Sequence, residues 1–154
     1  MIAISNYEQL QNESLDGYYN DLALNSFEQV IKRFPDSKYA KDSRQKIILV
    51  NSNIAAKHME IGRFYLKNNK YMAALNRFKI VVDKFSITKF TPEALHRMVE
   101  AYHGMGMYED SYKTAALLGY NYPNSKWYRL SYNLVKQIDD EKTFSEKIRN
   151  FFDG

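Results

Sequence analysis

The sequence predicts an all-α fold in which antiparallel helix pairs stack as a solenoid. The strongest indication is a six-residue phrase that occurs three times, at residues 34–39, 85–90 and 122–127. It reads aromatic, Pro or Ser, any residue, Ser or Thr, Lys, aromatic, and each copy separates two apolar stretches of helical period. Recurrence at intervals of about 20 to 50 residues is typical of helical solenoids. The composition agrees, because six Gly and three Pro are too few for a turn-rich β fold.

The N-terminal part of the chain is predicted to hold two helices. Apolar residues favour a helix over residues 2–11, and residues 12–17, which include Asn, Ser, Asp and Gly, are predicted to be a loop. A second helix over residues 20–33 has one apolar face, and Pro35 ends it because proline lacks the amide proton. The chain starts apolar without an N-cap residue, so we expect it to lack its natural N-terminus.

The middle of the chain is predicted to form a long helical segment and a shorter partner. Residues 39–67 contain no proline, and they form either one helix or two helices with a bend at residues 51–53. Residues 68–70 are the predicted turn, and residues 71–84 are the partner helix with one apolar face. Phe78 on that face and Tyr102 on the next helix are expected to be buried.

The remaining residues are predicted to form a third pair and a C-terminal capping helix. Thr91 is the expected N-cap of a helix that has Pro92 at its first position and that ends at Gly104. Its partner covers residues 108–119, and a further helix covers residues 127–137. After the acidic residues 139–141, a last helix over residues 144–152 is predicted. We expect it to dock on the final repeat, with docking on a partner as the alternative, through Phe144, Ile148, Phe151 and Phe152.

Small and aromatic residues recur at matching intervals in the second and third pairs. They are Gly62, Tyr65, Tyr71, Ala74, Phe78 and Val81 in one pair, and Val99, Tyr102, Tyr108, Ser111, Ala115 and Leu118 in the other. This pattern resembles the tetratricopeptide repeat, in which small residues let two helices approach closely and aromatic residues fill the gap to the next pair. His58, Ser86 and Ala115 depart from it, since they stand where that family has a large hydrophobe, a proline and an aromatic residue.

The repeat spacing is more distinctive than the repeat. Pro35 and Ser86 are 51 residues apart, and Ser86 and Pro123 are 37 apart, whereas plain tetratricopeptide arrays keep about 34. Together with the long segment before the pair Asn76-Arg77, this spacing resembles the C-terminal part of the BamD (ComL) family of lipoproteins. We therefore expect a single tetratricopeptide-like domain over residues 1–154, without that family's signal peptide, lipidated cysteine and first repeats.

The resemblance implies a non-catalytic, protein-binding scaffold of the outer-membrane β-barrel assembly machine, at the periplasmic face of the bacterial outer membrane. It implies that Asn76 and Arg77 lie where the C-terminal repeats meet a POTRA domain of the barrel subunit, BamA. Other lipoproteins of the machine and unfolded outer-membrane proteins are further implied partners, and membrane contact is implied only through the absent N-terminal lipid anchor. The alternative is a generic tetratricopeptide adaptor that binds peptide tails in its concave groove.

Polar residues on two of the predicted helices are candidates for partner contact in that groove: Arg63, Lys67, His96, Glu100 and His103. Glu93 and the last three form a stripe along one helix, which we interpret as an exposed polar face. The mixture of charges argues against a clamp for a peptide carboxylate. Glu-x-x-His also occurs in di-iron helical bundles, but there the two copies lie on different helices. A metalloenzyme is therefore the least favoured function.

Other features of the sequence exclude several function classes. The net charge of +4 comes from Lys and Arg scattered among acidic residues, which does not predict nucleic-acid binding. The absence of cysteine excludes thiolate zinc sites and cysteine nucleophiles. No serine lies in a nucleophile-elbow phrase, and there is no glycine-rich phosphate loop. We therefore predict no enzymatic activity, no cofactor and no metal site, and no run of about 18 apolar residues could span a membrane.

Overall fold

The computed structural model describes residues 2–152, which form six α-helices and no strand: α1 (Ile2–Arg33), α2 (Lys38–Lys67), α3 (Tyr71–Lys84), α4 (Thr91–Gly104), α5 (Tyr108–Asn121) and α6 (Lys126–Phe152). Within this range, side chains are described for residues 17–143, 146 and 149–151. The predicted all-α, tetratricopeptide-like fold is confirmed. None of the described helices combines the length and apolarity that a membrane span requires.

The chain divides into two compact units. Residues 1–53 hold α1 and the first part of α2, and residues 54–154 hold the rest of α2 and the four later helices. In the second unit, α4 packs against α3, α5 and α6, and α6 also packs against α5. The organisation of residues 1–154 as a single domain stays a prediction.

Two predicted breaks are wrong, because the helices continue through them. α1 runs through residues 12–17, where only Gly17 strongly disfavours a helix, by about 1 kcal/mol. α6 runs through the acidic residues 139–141, which replaces the two predicted C-terminal helices by one. There Asp139 accepts a hydrogen bond from the hydroxyl of Tyr112 on α5, and the ammonium of Lys142 lies 5.6 Å from the Tyr108 ring. Of the predicted docking residues, Phe151 is exposed, and the side chains of Phe144, Ile148 and Phe152 lie outside the described residues.

The recurring phrases lie at the three junctions where they were predicted, between α1 and α2, α3 and α4, and α5 and α6. In the first and third copies, the serine is the N-cap of the following helix. The amide of Ala40 donates to the hydroxyl of Ser37 at 3.1 Å, and the amide of Tyr128 donates to that of Ser125 at the same distance. Each bond satisfies one of the amides that lack a partner in the first helical turn.

The second junction is two residues longer than the other two, so α4 begins later relative to the phrase than α2 and α6 do. The hydroxyl of Thr88 donates to the carbonyl of Phe85 at 2.7 Å, but α4 begins only at Thr91. The prediction that Thr91 is the N-cap is wrong, because Phe90 occupies that position and the Thr91 hydroxyl donates to the carbonyl of Ser86 at 2.9 Å.

The turns within the second and third pairs share one backbone geometry. Asn69 after α2 and Gly106 after α4 have positive φ angles of 60° and 73°, a conformation that glycine and asparagine adopt most readily. The following amide donates at 2.9 Å to a tyrosine carbonyl five residues earlier, from Lys70 to Tyr65 and from Met107 to Tyr102. This is the hydrogen bond that closes a Schellman motif at a helix C-terminus.

The core of the second unit is centred on Phe78. Phe78 is fully buried and Tyr102 is 9% exposed, so both burial predictions are confirmed. A Cβ atom added to Gly62 of α2 would lie 2.6 Å from the Phe78 ring, which shows how closely α2 and α3 approach.

The next helix pair has the opposite side-chain sizes at the positions equivalent to Gly62 and Phe78: a larger residue at the first and a smaller one at the second. Val99 and Ala115, each 37 residues after Gly62 and Phe78, are buried in one cluster with Val135. The larger side chain of Val99, where the second pair has glycine, therefore compensates for the smaller side chain of Ala115, where the second pair has phenylalanine. This accounts for the departure from the repeat pattern at Ala115.

Candidate functional site

A continuous network of ion pairs joins α2 to α4. Arg63 of α2 donates to both carboxylate oxygens of Glu93 on α4, each at 2.8 Å. Arg97, one turn further along α4, lies 3.4 Å from Glu93 and 2.9 Å from Glu100. The paired geometry of arginine and carboxylate fixes both partners in direction as well as distance.

This network of ion pairs continues from Glu100 through His96 to α6. Nε2 of His96 lies 3.1 Å from Glu100, and Nδ1 lies 2.7 Å from the hydroxyl of Ser131. A carboxylate only accepts, so in the neutral tautomer Nε2 donates to Glu100 and the Ser131 hydroxyl donates to Nδ1. His96 is 4% exposed. The interpretation of the stripe as an exposed face is therefore wrong at His96, whose ring joins α4 to α6.

The charges in this network stabilise the ionised carboxylates of Glu93 and Glu100. Burial raises the pKa of Glu93, but the hydrogen bonds and charges of Arg63 and Arg97 outweigh burial, so the pKa lies below its ordinary value. Burial likewise raises the pKa of Glu100, and His96 and Arg97 together bring it below its ordinary value. Both glutamates are therefore held as anions at neutral pH by groups of the chain itself.

Trp127 at the start of α6 packs against two residues of this network, His96 and Arg97. Its ring lies 5.5 Å from the His96 ring, and the guanidinium of Arg97 lies 5.4 Å from its centre. The ammonium of Lys126 lies 4.7 Å from the same ring. Such cation–aromatic contacts add attraction and restrict the orientation of the cations.

An open groove of about 510 Å³ lies along α2, α4 and α6. Four of the five candidates for the groove line it, and they are Arg63, Lys67, Glu100 and His103. His96, the fifth, does not. Among the side chains that the structure describes, no three His, Asp or Glu residues are grouped as metal binding would require.

Asn76 and Arg77 lie on α3 and do not line the groove. Asn76 is exposed and Arg77 is half-buried. Nη1 of Arg77 lies 3.3 Å from Nδ1 of His58, whose ring stacks on Phe85 at 6.1 Å. His58 is half-buried, and its contact with the guanidinium gives it a position from which it orients Arg77.

Sequence reasoning missed Arg97 and Ser131. Arg97 follows Glu93 by four residues and precedes Glu100 by three, a spacing that brings charges together on a helix and that could have identified it. Nothing local marks Ser131, because its bond to His96 depends on how α6 packs against α4.

The chain has clear relatives among known proteins. The sequence profile of the YfiO family, described as "Outer membrane lipoprotein", matches residues 1–118. The chain is 48% identical over 138 residues to "Outer membrane protein assembly factor BamD" of Rickettsia prowazekii (strain Madrid E), which covers 90% of the chain and 55% of that protein. It is 43% identical over 133 residues to the protein of the same name from Caulobacter vibrioides, covering 86% of the chain and 44% of that protein. The chain thus spans about half the length of these relatives.

Proposed function

The chain belongs to the YfiO outer membrane lipoprotein family, and we propose that it acts as a non-catalytic scaffold in the assembly of outer-membrane proteins. Two relatives that match most of the chain are named as assembly factors. The proposed place of action is the periplasmic face of the outer membrane, with other components of the assembly machine as partners. A surface built from rigid helix pairs suits this role, since such repeats present preformed binding faces.

The proposed docking contact is between Arg77 and a carboxylate on a POTRA domain of the barrel subunit, BamA. The observation that carries this proposal is the position of the Asn76-Arg77 pair on the surface of α3, directly before the fully buried Phe78. Because Phe78 anchors the helix in the core, the backbone at Arg77 is fixed. His58, at 3.3 Å from the guanidinium, further restricts its direction. A cation held in this way needs little ordering when a partner binds.

The magnitude of the contact depends on how much water the interface excludes. The guanidinium fork can engage a carboxylate through two parallel hydrogen bonds. At a desolvated interface, loss of one partner costs about 2–5 kcal/mol, much of it from the charge left unpaired. At an exposed rim the same pair contributes less than about 1 kcal/mol. Half-burial of Arg77 before docking favours the larger effect.

The test compares two charge reversals on one helix. Binding of the isolated POTRA domain is measured at low salt for the parent, for Arg77→Glu and for Lys79→Glu, which changes an exposed cation two residues away. Arg77→Glu is expected to weaken binding by at least about tenfold, and Lys79→Glu to have a much smaller effect. Circular dichroism checks that both variants are folded.

Two outcomes decide the proposal. If Arg77→Glu binds as tightly as the parent, the contact does not exist. If a reversed charge on one POTRA carboxylate restores binding to Arg77→Glu and not to Lys79→Glu, the partner of Arg77 is identified.

The alternative function, an adaptor for peptide tails, is favoured by the groove along α2, α4 and α6. Its charges weaken the case for an acidic tail, because Arg63 and Arg97 are paired with Glu93 and Glu100. Lys67 is the lining cation outside that network. Peptide binding that Lys67→Glu abolishes and Arg77→Glu leaves unchanged would support the alternative.

A further inference from the structure

A second concave surface lies at the loop between α5 and α6 and the first two turns of α6. We call it the tyrosine notch, a cavity of about 450 Å³ lined by Pro123, Asn124, Ser125, Tyr128, Arg129 and Tyr132. None of these residues lines the groove along α2, α4 and α6, and none lies on α3, the helix that carries Arg77. Tyrosine and arginine are among the residue types enriched at binding hot spots.

The two tyrosines of the notch are held at a fixed angle. Their ring centres lie 6.3 Å apart and the ring planes are inclined by 58°. Tyr128 is fixed by α5, because its ring packs directly against Gly119 and leaves no room there for a Cβ atom. Tyr132, four residues further on, is half exposed. The notch therefore presents a rigid aromatic wall with one accessible ring, and Pro123 adds a further apolar surface.

The shape of the notch favours an extended ligand over a helical one. A docked amphipathic helix needs a groove that receives side chains spaced over two or more turns, whereas the notch extends over one loop and the start of one helix. Grooves lined by aromatic rings receive proline-rich segments, whose left-handed extended conformation is preformed and loses little entropy on binding.

The charge of the notch indicates an acidic ligand. Arg129 is the only charged residue that lines it, it is exposed, and none of the ion pairs among the described side chains engages it. Lys126, three residues earlier on the same helix, is also exposed. A carboxylate next to the prolines of a ligand would meet the guanidinium of Arg129 beside the tyrosine rings.

We propose that the tyrosine notch binds an extended, proline-containing segment of a partner protein that carries an acidic residue. The prolines pack against Tyr128 and Tyr132, and the acidic side chain accepts hydrogen bonds from Arg129. This site is independent of the Arg77 contact, so either can fail without affecting the other.

The experiment uses fluorescence anisotropy with a labelled peptide of repeated Pro-Pro-Asp-Pro units. Peptides of equal length built from Pro-Pro-Lys-Pro and from Gly-Ser-Asp-Gly separate the contributions of charge and of proline. The notch variants are Tyr132→Ala and Arg129→Glu. Their matched controls are Tyr120→Ala, an exposed tyrosine outside the notch, and Arg149→Glu, an exposed arginine further along the same helix.

The proposal expects saturable binding of the acidic proline peptide and weaker binding of both other peptides. Each notch variant should weaken binding by about fivefold or more, the loss expected when a contributing interface side chain is removed, and each control should bind as the parent does. Lack of saturation, an unchanged affinity in Tyr132→Ala, or equal binding of the Gly-Ser-Asp-Gly peptide would each overturn it. A dimer in sedimentation equilibrium that Tyr132→Ala dissociates would assign the notch to a second copy of the chain, and would also overturn it.

Discussion

Replacing Gly62 with alanine tests the close approach of α2 and α3. The added Cβ would lie 2.6, 2.8 and 3.0 Å from three atoms of the Phe78 ring, and a ring that is fully buried cannot move without displacing its neighbours. Two effects oppose each other. Alanine is better than glycine in a helix by about 1 kcal/mol, and overpacking costs about 1–3 kcal/mol. Because two of the contacts are shorter than real Cβ contacts, we expect a net loss of about 1–2 kcal/mol.

Gly17 provides the matched control, since it also lies within a helix and a Cβ added there meets no atom within 4 Å. Gly17→Ala should therefore show only the gain in helix propensity, about 0.5–1 kcal/mol. The assay is urea unfolding followed by circular dichroism, with the free energy of unfolding taken from curves of equal slope. The two substitutions are expected to change stability in opposite directions. If Gly62→Ala stabilises the protein as much as Gly17→Ala does, then Gly62 and the Phe78 ring are not in close contact.

A double substitution makes this test sharper. The pair Val99 and Ala115 shows that the next repeat fills the equivalent space with the sizes exchanged. Gly62→Val combined with Phe78→Ala copies that arrangement, so the double variant should be more stable than the sum of the two single losses predicts, by about 1–3 kcal/mol. Additive losses would show that the two positions do not share one packing site.

Two further predictions concern stability. Phe78→Ala alone should lower the free energy of unfolding by about 3–5 kcal/mol, as expected for a buried phenylalanine, and a loss below about 1 kcal/mol in urea unfolding would contradict its central place in the core. Glu93→Gln should destabilise at neutral pH, because the folded-state pKa of Glu93 is lowered and its ionised form is therefore stabilised by folding. That contribution is present above the unfolded-state pKa of about 4.3 and is lost as pH falls through the folded-state pKa. The free energies of unfolding of the parent and of Glu93→Gln should therefore converge in acid. Urea unfolding at a series of pH values measures this convergence. Glu109→Gln is the control, since the pair of Glu109 with Lys113 is exposed and should contribute little; equal effects of the two changes would contradict the role of Arg63 and Arg97.

The parts of the fold that depend on local sequence could be predicted. The junction phrases, the turn at residues 68–70 and the helix over residues 71–84 follow from capping, turn chemistry and apolar periodicity. The breaks predicted at residues 12–17 and 139–141 were wrong because the polar residues at both places weaken a helix only slightly. Asp139 and Lys142 contact α5, which no local pattern shows.

The candidate site could be predicted only in part, for the same reason. The spacing of Glu93, His96 and Glu100 places them on one helix, as the structure confirms. Their interpretation as an exposed stripe overlooked α6, which brings Ser131 and Trp127 against His96. These contacts join residues more than 30 positions apart, beyond the reach of helical periodicity.

The junctions between pairs also bear on how fast this chain folds. Their hydrogen bonds join residues three to nine positions apart, as between Ser37 and Phe34 or between Arg44 and Pro35, so closing each junction requires little loop entropy. In the second unit, α3 contacts α4, α4 contacts α5 and α5 contacts α6 across short connections, which keeps the mean sequence separation of contacts low there. Chains of this kind fold rapidly, and in repeat arrays folding can start at any pair and spread to its neighbours. Folding that starts from several places would limit the time for which apolar helix faces are exposed to aggregation.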